Sequence, residues 1–193
     1  MHALTILKTD HRKVETLFKA FMNTEAKQKK ASLVKQIITE LSVHAAVEEQ
    51  VFYPAIRKAM KDADEDMILE ALEEHHIVKW VLSELEKMKP DHPRFDAKVK
   101  VLCENVTHHV KEEEQELFKK VRKAMSVKEL NELGAAMAAA KKVAPKRPHP
   151  RAPDEPPGNH AKTGAKKTTA RRGTAKRGGT RRGGARKTSR ASE

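Results

Sequence analysis

Six residues of the kinds that bind metal ions recur at helical spacing along the chain. They are four histidines and two glutamates: His11, His44, Glu48, His75, His109 and Glu113. Because a His and a Glu four residues apart lie one turn apart on the same helix face, each His-x-x-x-Glu pair can direct an imidazole and a carboxylate at one centre. Mixed imidazole and carboxylate ligands suit iron or manganese. We therefore predict a site for two ions, with three ligands from each half of the set and carboxylates able to bridge.

Each of these residues has an ordinary structural interpretation when it is considered alone. A single His on an apolar stripe is usually a hydrogen-bonded core residue, and a single Glu there usually reaches water. When six such residues lie in phase on four helices, a metal site is favoured, because buried carboxylates without a counter-charge cost several kcal/mol each. The chain has one Cys, which argues against a structural zinc or iron–sulfur site.

An internal repeat supports this assignment. The segment HAAVEEQVFYPAIRKAM from His44 matches HVKEEEQELFKKVRKAM from His109 at an offset of 65, with eight of 17 positions identical. The segment DHRKVETLF from residue 10 aligns with EHHIVKWVL from residue 74 at an offset of 64. The region is therefore predicted to contain two copies of one αα-hairpin.

The repeat also decides between adjacent histidines. It pairs His75 with the histidine at position 11, and it pairs His109 with the one at position 44. The neighbouring His76 and His108 fall off the apolar stripe. We therefore expect His75 and His109 to face the bundle interior.

The elements that must position these residues are predicted to be helices. No Gly precedes Gly134, and apolar residues recur at intervals of three and four. We expect helices at about 3–22, 27–60, 64–88 and 95–125, and a shorter fifth from an N-cap at Ser126 to about 141. Short connections favour antiparallel neighbours, so the expected fold is all-α, an up-down-up-down four-helix bundle.

At this level of detail the motifs resemble the hemerythrin-like, HHE cation-binding domain. The likeness rests on DH at Asp10, HxxxEE at His44 followed by VFYP, EH at Glu74, and HxxxEE at His109 followed by ELF. It covers about residues 1–135. It implies a four-helix bundle with two iron ions in an Fe–O–Fe type centre, held by His and bridged by carboxylates. It also implies chemistry with O₂, peroxide or nitric oxide.

Two positions depart from the oxygen-carrying hemerythrins. Lys79 stands where they have a second His one turn after the ligand of the third helix, and Glu113 follows His109 by four residues instead of five. One imidazole fewer leaves open coordination positions, which favour redox chemistry or sensing over O₂ carriage. Two hypotheses stay open. One is an oxidoreductase that consumes peroxide or nitric oxide or oxidises Fe(II); the other is a module that senses or binds iron or O₂ without turnover.

Residues near the six have competing interpretations. Glu15 is either a further carboxylate ligand or, as we expect, a surface charge. Tyr53 either donates a hydrogen bond to a bound oxygen species or only packs. Pro54 should bend its helix just past the ligand pair. Cys103 and Trp80 are expected in the core.

Charge divides the chain near residue 140. Residues 1–140 hold 23 Lys and Arg against 24 Asp and Glu, whereas residues 141–193 hold 17 against three. All seven aromatic residues lie in the first part and seven of the eight Gly in the second. The predicted division is a metal-binding bundle at 1–140, a Pro-rich linker at 141–161 and a disordered Lys/Arg/Gly-rich tail at 162–193.

The tail resembles the basic tails of histone-H1-like proteins and has no aromatic side chain to stack on a base. It is predicted to bind the phosphate backbone of nucleic acid without sequence preference; the alternative is a solvated tail that improves solubility or meets other polyanions. The predicted contacts are Lys166, Lys167, Arg171, Arg172, Lys176, Arg177, Arg181, Arg182, Arg186 and Lys187. The first residues, MHALTILKTDH, lack a basic n-region and a long apolar run, so we expect a cytoplasmic, nucleoid-associated protein with no membrane span.

Overall fold

The computed structural model describes residues 1–60 and 65–149. The helices are α1 (Ala3–Met22), α2 (Lys27–Val47), π1 (Glu48–Phe52), α3 (Tyr53–Met60), α4 (Glu65–Leu85), α5 (Phe95–Glu112), π2 (Glu113–Leu117), α6 (Phe118–Ala124) and α7 (Val127–Val143). Within those residues there is no strand. Because α2, π1 and α3 are continuous, as are α5, π2 and α6, the described residues form four long helices and a fifth. The predicted all-α bundle is confirmed.

Part of the sequence-based prediction lies outside the described residues. This holds for all ten basic residues of the predicted nucleic-acid tail, from Lys166 to Lys187, and for the linker beyond residue 149. Among the residues that are described, no helix is long and apolar enough to cross a membrane.

The six predicted ligands lie between two apolar clusters. One cluster contains Leu7 and Phe52, and the other contains Phe18 and Leu102. On every long helix the chain passes from one cluster through the polar layer to the other; on α1, for example, His11 separates the two groups of buried residues. Close packing on both sides restricts the rotamers of the polar layer.

Each HxxxEEQ motif contains a widened, π-helical turn. The backbone N–H of Tyr53 donates to the carbonyl of Glu48, five residues earlier, and the N–H of Phe118 donates to the carbonyl of Glu113. The second copy has Lys119 where the first has Pro54, so the predicted local effect of Pro54 is not the cause of the irregularity. A π-turn of this kind often marks a functional site. In the first motif it leaves two consecutive glutamates, Glu48 and Glu49, buried.

Helix α7 begins where the sequence predicts. The Ser126 hydroxyl accepts from the backbone N–H of Glu129, whose carboxylate accepts from the N–H of Ser126, which is a capping box. Its apolar side packs into the cluster around Leu7. Gly134 permits this approach, because a Cβ there would lie 1.9 Å from the carbonyl oxygen of Met1. The helix ends at Val143, two residues past the prediction, since the next helix-breaking residue is Pro145.

Two core predictions are corrected. Trp80 is 59% exposed, because the inward stripe of α4 runs through residues 75, 78, 79 and 82 and position 80 falls outside it. Cys103 is half-buried.

Candidate metal centre

The structure brings all six predicted residues into one buried layer. Their ligand atoms form two groups, and within each group the atoms lie within 4.8 Å of one another. The first group is His11, His44, Glu48 and Glu113, and the second is Glu48, His75 and His109. Glu48 belongs to both groups and is 0% exposed. The arrangement suits two cations with one shared carboxylate.

Close contacts surround the Glu48 carboxylate. Its Oε2 lies 3.0 Å from Nε2 of His44 and 3.3 Å from Nε2 of His75. Nε2 of His75 in turn faces Nε2 of His109 at 3.3 Å. In the other half, Nε2 of His11 lies 3.2 Å from Oε2 of Glu113. The Nε2 atoms of all four imidazoles thus converge on the centre.

The opposite ring nitrogen of each histidine faces a carboxylate. The Nδ1 distances are 2.8 Å for His11 to Glu114, 3.1 Å for His75 to Glu49, 2.7 Å for His109 to Glu74, and 3.6 Å for His44 to Asp10. The first three are hydrogen bonds, and the fourth is an ion-pair contact. A carboxylate that accepts from Nδ1–H fixes the tautomer and leaves the Nε2 lone pair for a metal.

These four carboxylates follow a simple pattern that the sequence analysis did not recognise. Each is adjacent in sequence to one of the six central residues, yet it contacts a histidine of a different helix. Asp10 precedes His11 but faces His44, and Glu49 follows Glu48 but faces His75. The repeat contained the signal, because the acidic neighbours recur at the same offsets as the histidines.

The residues fit bound cations. Neither oxygen of Glu48 nor of Glu113 has a hydrogen-bond partner, and both side chains are buried. With Nδ1–H of His75 and His109 donating to carboxylates, their two Nε2 atoms face each other as acceptors. A cation would stabilise the two carboxylates, because buried carboxylates without a hydrogen bond are costly. It would also separate the two Nε2 acceptors.

The pKa values report the same shortage of positive charge. Burial raises the pKa of Glu113, and the nearby charge of Glu48 raises it further. For Glu48 the effect of burial is outweighed by the neighbouring His44 and His75, which lower its pKa well below the usual range. Although burial opposes it, the Glu48 charge helps to raise the pKa of His44 to about 10, and contacts with Glu48 and Glu49 raise that of His75 to about 9. Without a cation, protons on imidazoles therefore supply the missing charge.

A family comparison decides the identity of the domain. The family model described as the Hemerythrin HHE cation binding domain matches residues 2–121. The chain belongs to this family. The hemerythrin-like resemblance of the sequence is thus confirmed, together with a metal-binding role for the bundle.

Relatives of this hemerythrin-like chain agree. A crystal structure of a hemerythrin HHE cation binding domain-containing protein from Mycobacterium kansasii superposes with a TM-score of 0.62 at 25% identity, covering 74% of this chain and 86% of that one. An uncharacterized hemerythrin-like protein of Schizosaccharomyces pombe is 28% identical over 140 residues, 72% of this chain and 69% of that protein. A DNA nickase of Nostoc sp. is 29% identical over 147 residues, 76% of this chain. This chain spans only 41% of the nickase.

The two halves of the hemerythrin-like centre differ beside the histidines. Lys79 is buried, and its Nζ lies 2.9 Å from Oε1 of Glu49, the carboxylate behind His75. Its counterpart in the repeat, Glu15, lies on the surface and pairs with Arg12 and Lys19, which agrees with the surface-charge interpretation.

An aromatic ring packs on one histidine in each half. The ring centroid of Tyr53 lies 5.7 Å from that of His75, and the ring of Phe118 stacks on His11 at 6.3 Å. Tyr53 is buried, and its hydroxyl lacks a hydrogen-bond partner. Burial, aided by the negative charges of Glu48 and Glu113, raises its pKa well above 10. The phenol therefore stays protonated at neutral pH.

The choice between adjacent histidines can be tested by substitution. We expect His75→Ala or His109→Ala to remove metal, because both rings are buried with Nε2 at the centre. The matched variants His76→Ala and His108→Ala should retain it at equilibrium, since both residues are exposed. Metal content after dialysis measures the difference. A greater loss of metal in His76→Ala and His108→Ala than in His75→Ala and His109→Ala contradicts the assignment.

Metal binding should release protons. With pKa values of about 10 and about 9, His44 and His75 are both protonated in the metal-free protein at pH 7. Binding must displace them, so we expect about two protons per chain. A pH indicator in weak buffer measures the release. Release of less than one proton contradicts this charge assignment.

The same pKa shifts set the pH dependence of the metal-free bundle. Because the pKa values of these histidines are raised in the folded state, their protonation stabilises the fold. This stabilisation is fully present below the pKa of a histidine in the unfolded chain, about 6.5. That contribution is lost as pH rises through about 9 and about 10. The melting temperature of metal-free protein should therefore fall between pH 6.5 and 10, and that of metal-loaded protein should fall less. A metal-free melting temperature that is flat over this range contradicts the prediction.

Proposed function

We propose that the bundle holds two iron ions, that it is an oxidoreductase acting on O₂, peroxide or nitric oxide, and that the basic tail tethers it to nucleic acid. The observation that carries the proposal is the pair of ligand groups around Glu48. Iron is favoured over manganese by the family resemblance, and both suit imidazole with carboxylate.

The two groups are unequal. His11, His44, Glu48 and Glu113 would hold one ion, and only Glu48, His75 and His109 would hold the other. Fewer protein ligands leave more positions for an external ligand. When bound, two iron ions supply redox equivalents and open coordination positions for a small molecule.

A small cavity supports a ligand of a few atoms. It has a volume of about 20 Å³ and is lined by the four histidines, by Asp10 and by aliphatic residues that include Val14, Leu41 and Val106. Such a volume suits about one water-sized molecule. The aliphatic walls exclude bulk water, which strengthens electrostatic interactions inside.

Two residues on the His75 side would assist the centre, one by contact with a bound ligand and one by orienting a carboxylate. The Tyr53 Oη holds a proton with no other acceptor, so it can donate a hydrogen bond in the layer of the centre. Lys79 contacts both oxygens of Glu49, at 2.9 and 3.0 Å, and thereby orients the carboxylate behind His75.

Two observations support nucleic acid as a partner. The segment after residue 140 carries 17 Lys and Arg against three acidic residues, and basic segments of this kind bind phosphate backbones through counterion release. A relative is named a DNA nickase, and the name places that protein on DNA.

A sensor without turnover is the second candidate, and one contact favours it. Lys141, near the end of α7, lies 2.7 Å from Oδ2 of Asp10, the carboxylate that faces His44. The centre is thus connected to the helix that precedes the basic segment. Steady-state consumption of peroxide by the iron-loaded chain supports the enzyme; a single stoichiometric reaction supports the sensor.

The position of Lys79 tests the open coordination site. Lys79→His would place an imidazole one turn after His75, so we expect lower peroxide turnover and a longer-lived oxygen adduct. Lys79→Gln is the matched control, because it removes the ammonium group without adding a metal ligand of similar strength. Stopped-flow absorption of the iron-loaded proteins measures both quantities. Equal turnover in wild type and Lys79→His removes the basis for preferring an enzyme to a carrier.

The tail is tested by charge removal. Replacing the ten basic tail residues by Gln should weaken DNA binding strongly and preserve metal content, because it removes ten of the 17 basic residues after residue 140 and residues 1–140 are nearly neutral. If about half of the 17 basic residues of the wild type meet phosphates, log K should fall with log salt at a slope of roughly −7 on duplex DNA. Fluorescence anisotropy measures both. A control replaces exposed bundle lysines such as Lys27, Lys29 and Lys35. A greater loss of DNA affinity in that control than in the tail variant contradicts the proposal that the tail binds DNA.

A further inference from the structure

An acidic crevice leads from the surface to the metal centre between α4 and the α5–π2 helix. It has a volume of about 90 Å³. Glu70, Glu74, Glu112 and Glu116 line it, and His109 and Glu113 of the centre also contribute to its wall. No Lys or Arg is among the described residues that line it.

Acidic residues on a surface are common, but this crevice also reaches a buried carboxylate. Glu113 is 3% exposed, lines the crevice, and has no hydrogen-bond partner at either carboxylate oxygen. The crevice therefore ends at a buried carboxylate that has no hydrogen bond. A cation that enters it meets a ligand of the centre.

Three residues at the outer side could hold a cation in transit. Ligand atoms of Glu74, His108 and Glu112 lie within 4.8 Å of one another. Nε2 of His108 is 3.3 Å from Oε1 of Glu112 and 3.8 Å from Oε1 of Glu74. His108 is 61% exposed at its side chain, so this trio is accessible. Glu74 also accepts from Nδ1 of His109, so the trio adjoins the second ligand group.

The other half of the repeat provides an internal comparison. The positions equivalent to Glu70, Glu112 and Glu116 are occupied by Ile6, Val47 and Val51. These three residues belong to, or pack against, the apolar cluster that includes the buried residues of α7. One approach to the centre is therefore apolar and covered by α7.

The carboxylates on the covered side and on the open side have different partners. Asp10, the counterpart of Glu74, is paired with Lys141 of α7. On the open side the equivalent carboxylate faces His108 instead. The carboxylate on the open side thus faces a histidine where the carboxylate on the covered side is paired with a lysine.

Solvent exposure alone does not account for the acidic lining. Residues 1–140 contain almost equal numbers of basic and acidic residues, and exposed lysines such as Lys100 and Lys111 occur on α5 itself. Every ionisable residue that lines the crevice beyond its floor is nonetheless a glutamate. A cleft of one charge sign concentrates counter-ions and accelerates their association by roughly 10- to 1,000-fold.

We propose that this crevice is the entry path for divalent metal ions, and that Glu74, His108 and Glu112 form a transfer site. A hydrated cation such as Fe²⁺ is captured by the trio, exchanges water for carboxylate and imidazole ligands, and passes to Glu113 and His109. Exchange of ligands at constant oxidation state requires no oxidant. The path rests on the proposed metal centre, but it is separable from the chemistry of that centre.

The test measures the rate of metal uptake by the full-length, metal-free protein. Anaerobic Fe²⁺ is mixed with the protein, and the ion still free at each time is trapped by a colorimetric chelator. We expect the double variant Glu112→Gln/Glu116→Gln to load roughly tenfold more slowly than wild type, with the same final iron content and a weaker dependence of the rate on salt. His108→Ala should also load slowly.

The matched control is Glu104→Gln/Glu132→Gln, which removes two exposed charges outside the crevice and should load at the wild-type rate. Melting of the metal-free variants checks that each is folded. Equal loading rates in the crevice and control variants overturn the proposed path, as does a lower final iron content with an unchanged rate. Wild-type protein that takes up no iron contradicts the metal centre itself, so the two failures are distinct.

Discussion

Two buried carboxylates without hydrogen-bond partners, Glu48 and Glu113, set the main constraint on this bundle. They lie between two apolar clusters, where an uncompensated negative charge is costly. The four imidazoles point Nε2 at them, and four outer carboxylates hold the opposite nitrogens. Metal-free, the layer recovers charge balance by taking protons onto His44 and His75. A pair of divalent cations would remove that need, so metal binding, proton release and bundle stability would form one coupled equilibrium.

The duplicated hairpin explains the near-symmetry of the centre, and a few positions explain its departures. Lys79 and Tyr53 lie on the His75 side, where the repeat counterparts are a surface glutamate and Phe118. Helix α7 packs on the half that contains α1, π1 and Asp10. Such differences make the surroundings of the two ligand groups unequal and leave one acid-lined approach open. A centre that has one covered and one open side suits a site that exchanges small ligands and ions in a defined direction.

The helices and the six central residues could be predicted from the sequence, because both depend on periodicity. Helical phase and the repeat selected His75 over His76 and His109 over His108, and the structure buries the selected residue in both cases. The N-cap at Ser126 was equally local and is confirmed. The outer carboxylates were not assigned roles, because each contacts a histidine of another helix and that pairing exists only after packing. The π-turns were not foreseen, since they depend on which carbonyl a backbone N–H selects. The prediction that Trp80 lies in the core was wrong, because it relied on the residue type and not on the position of Trp80 in the helical period.

The central claim is that two ions share the Glu48 carboxylate. Anomalous diffraction at the iron absorption edge, from crystals of the iron-loaded protein, tests it most directly. The account predicts two iron peaks in the polar layer, one beside His11 and His44 and the other beside His75 and His109, with the Glu48 carboxylate in contact with both. A single peak, or two peaks of which only one contacts Glu48, would contradict it.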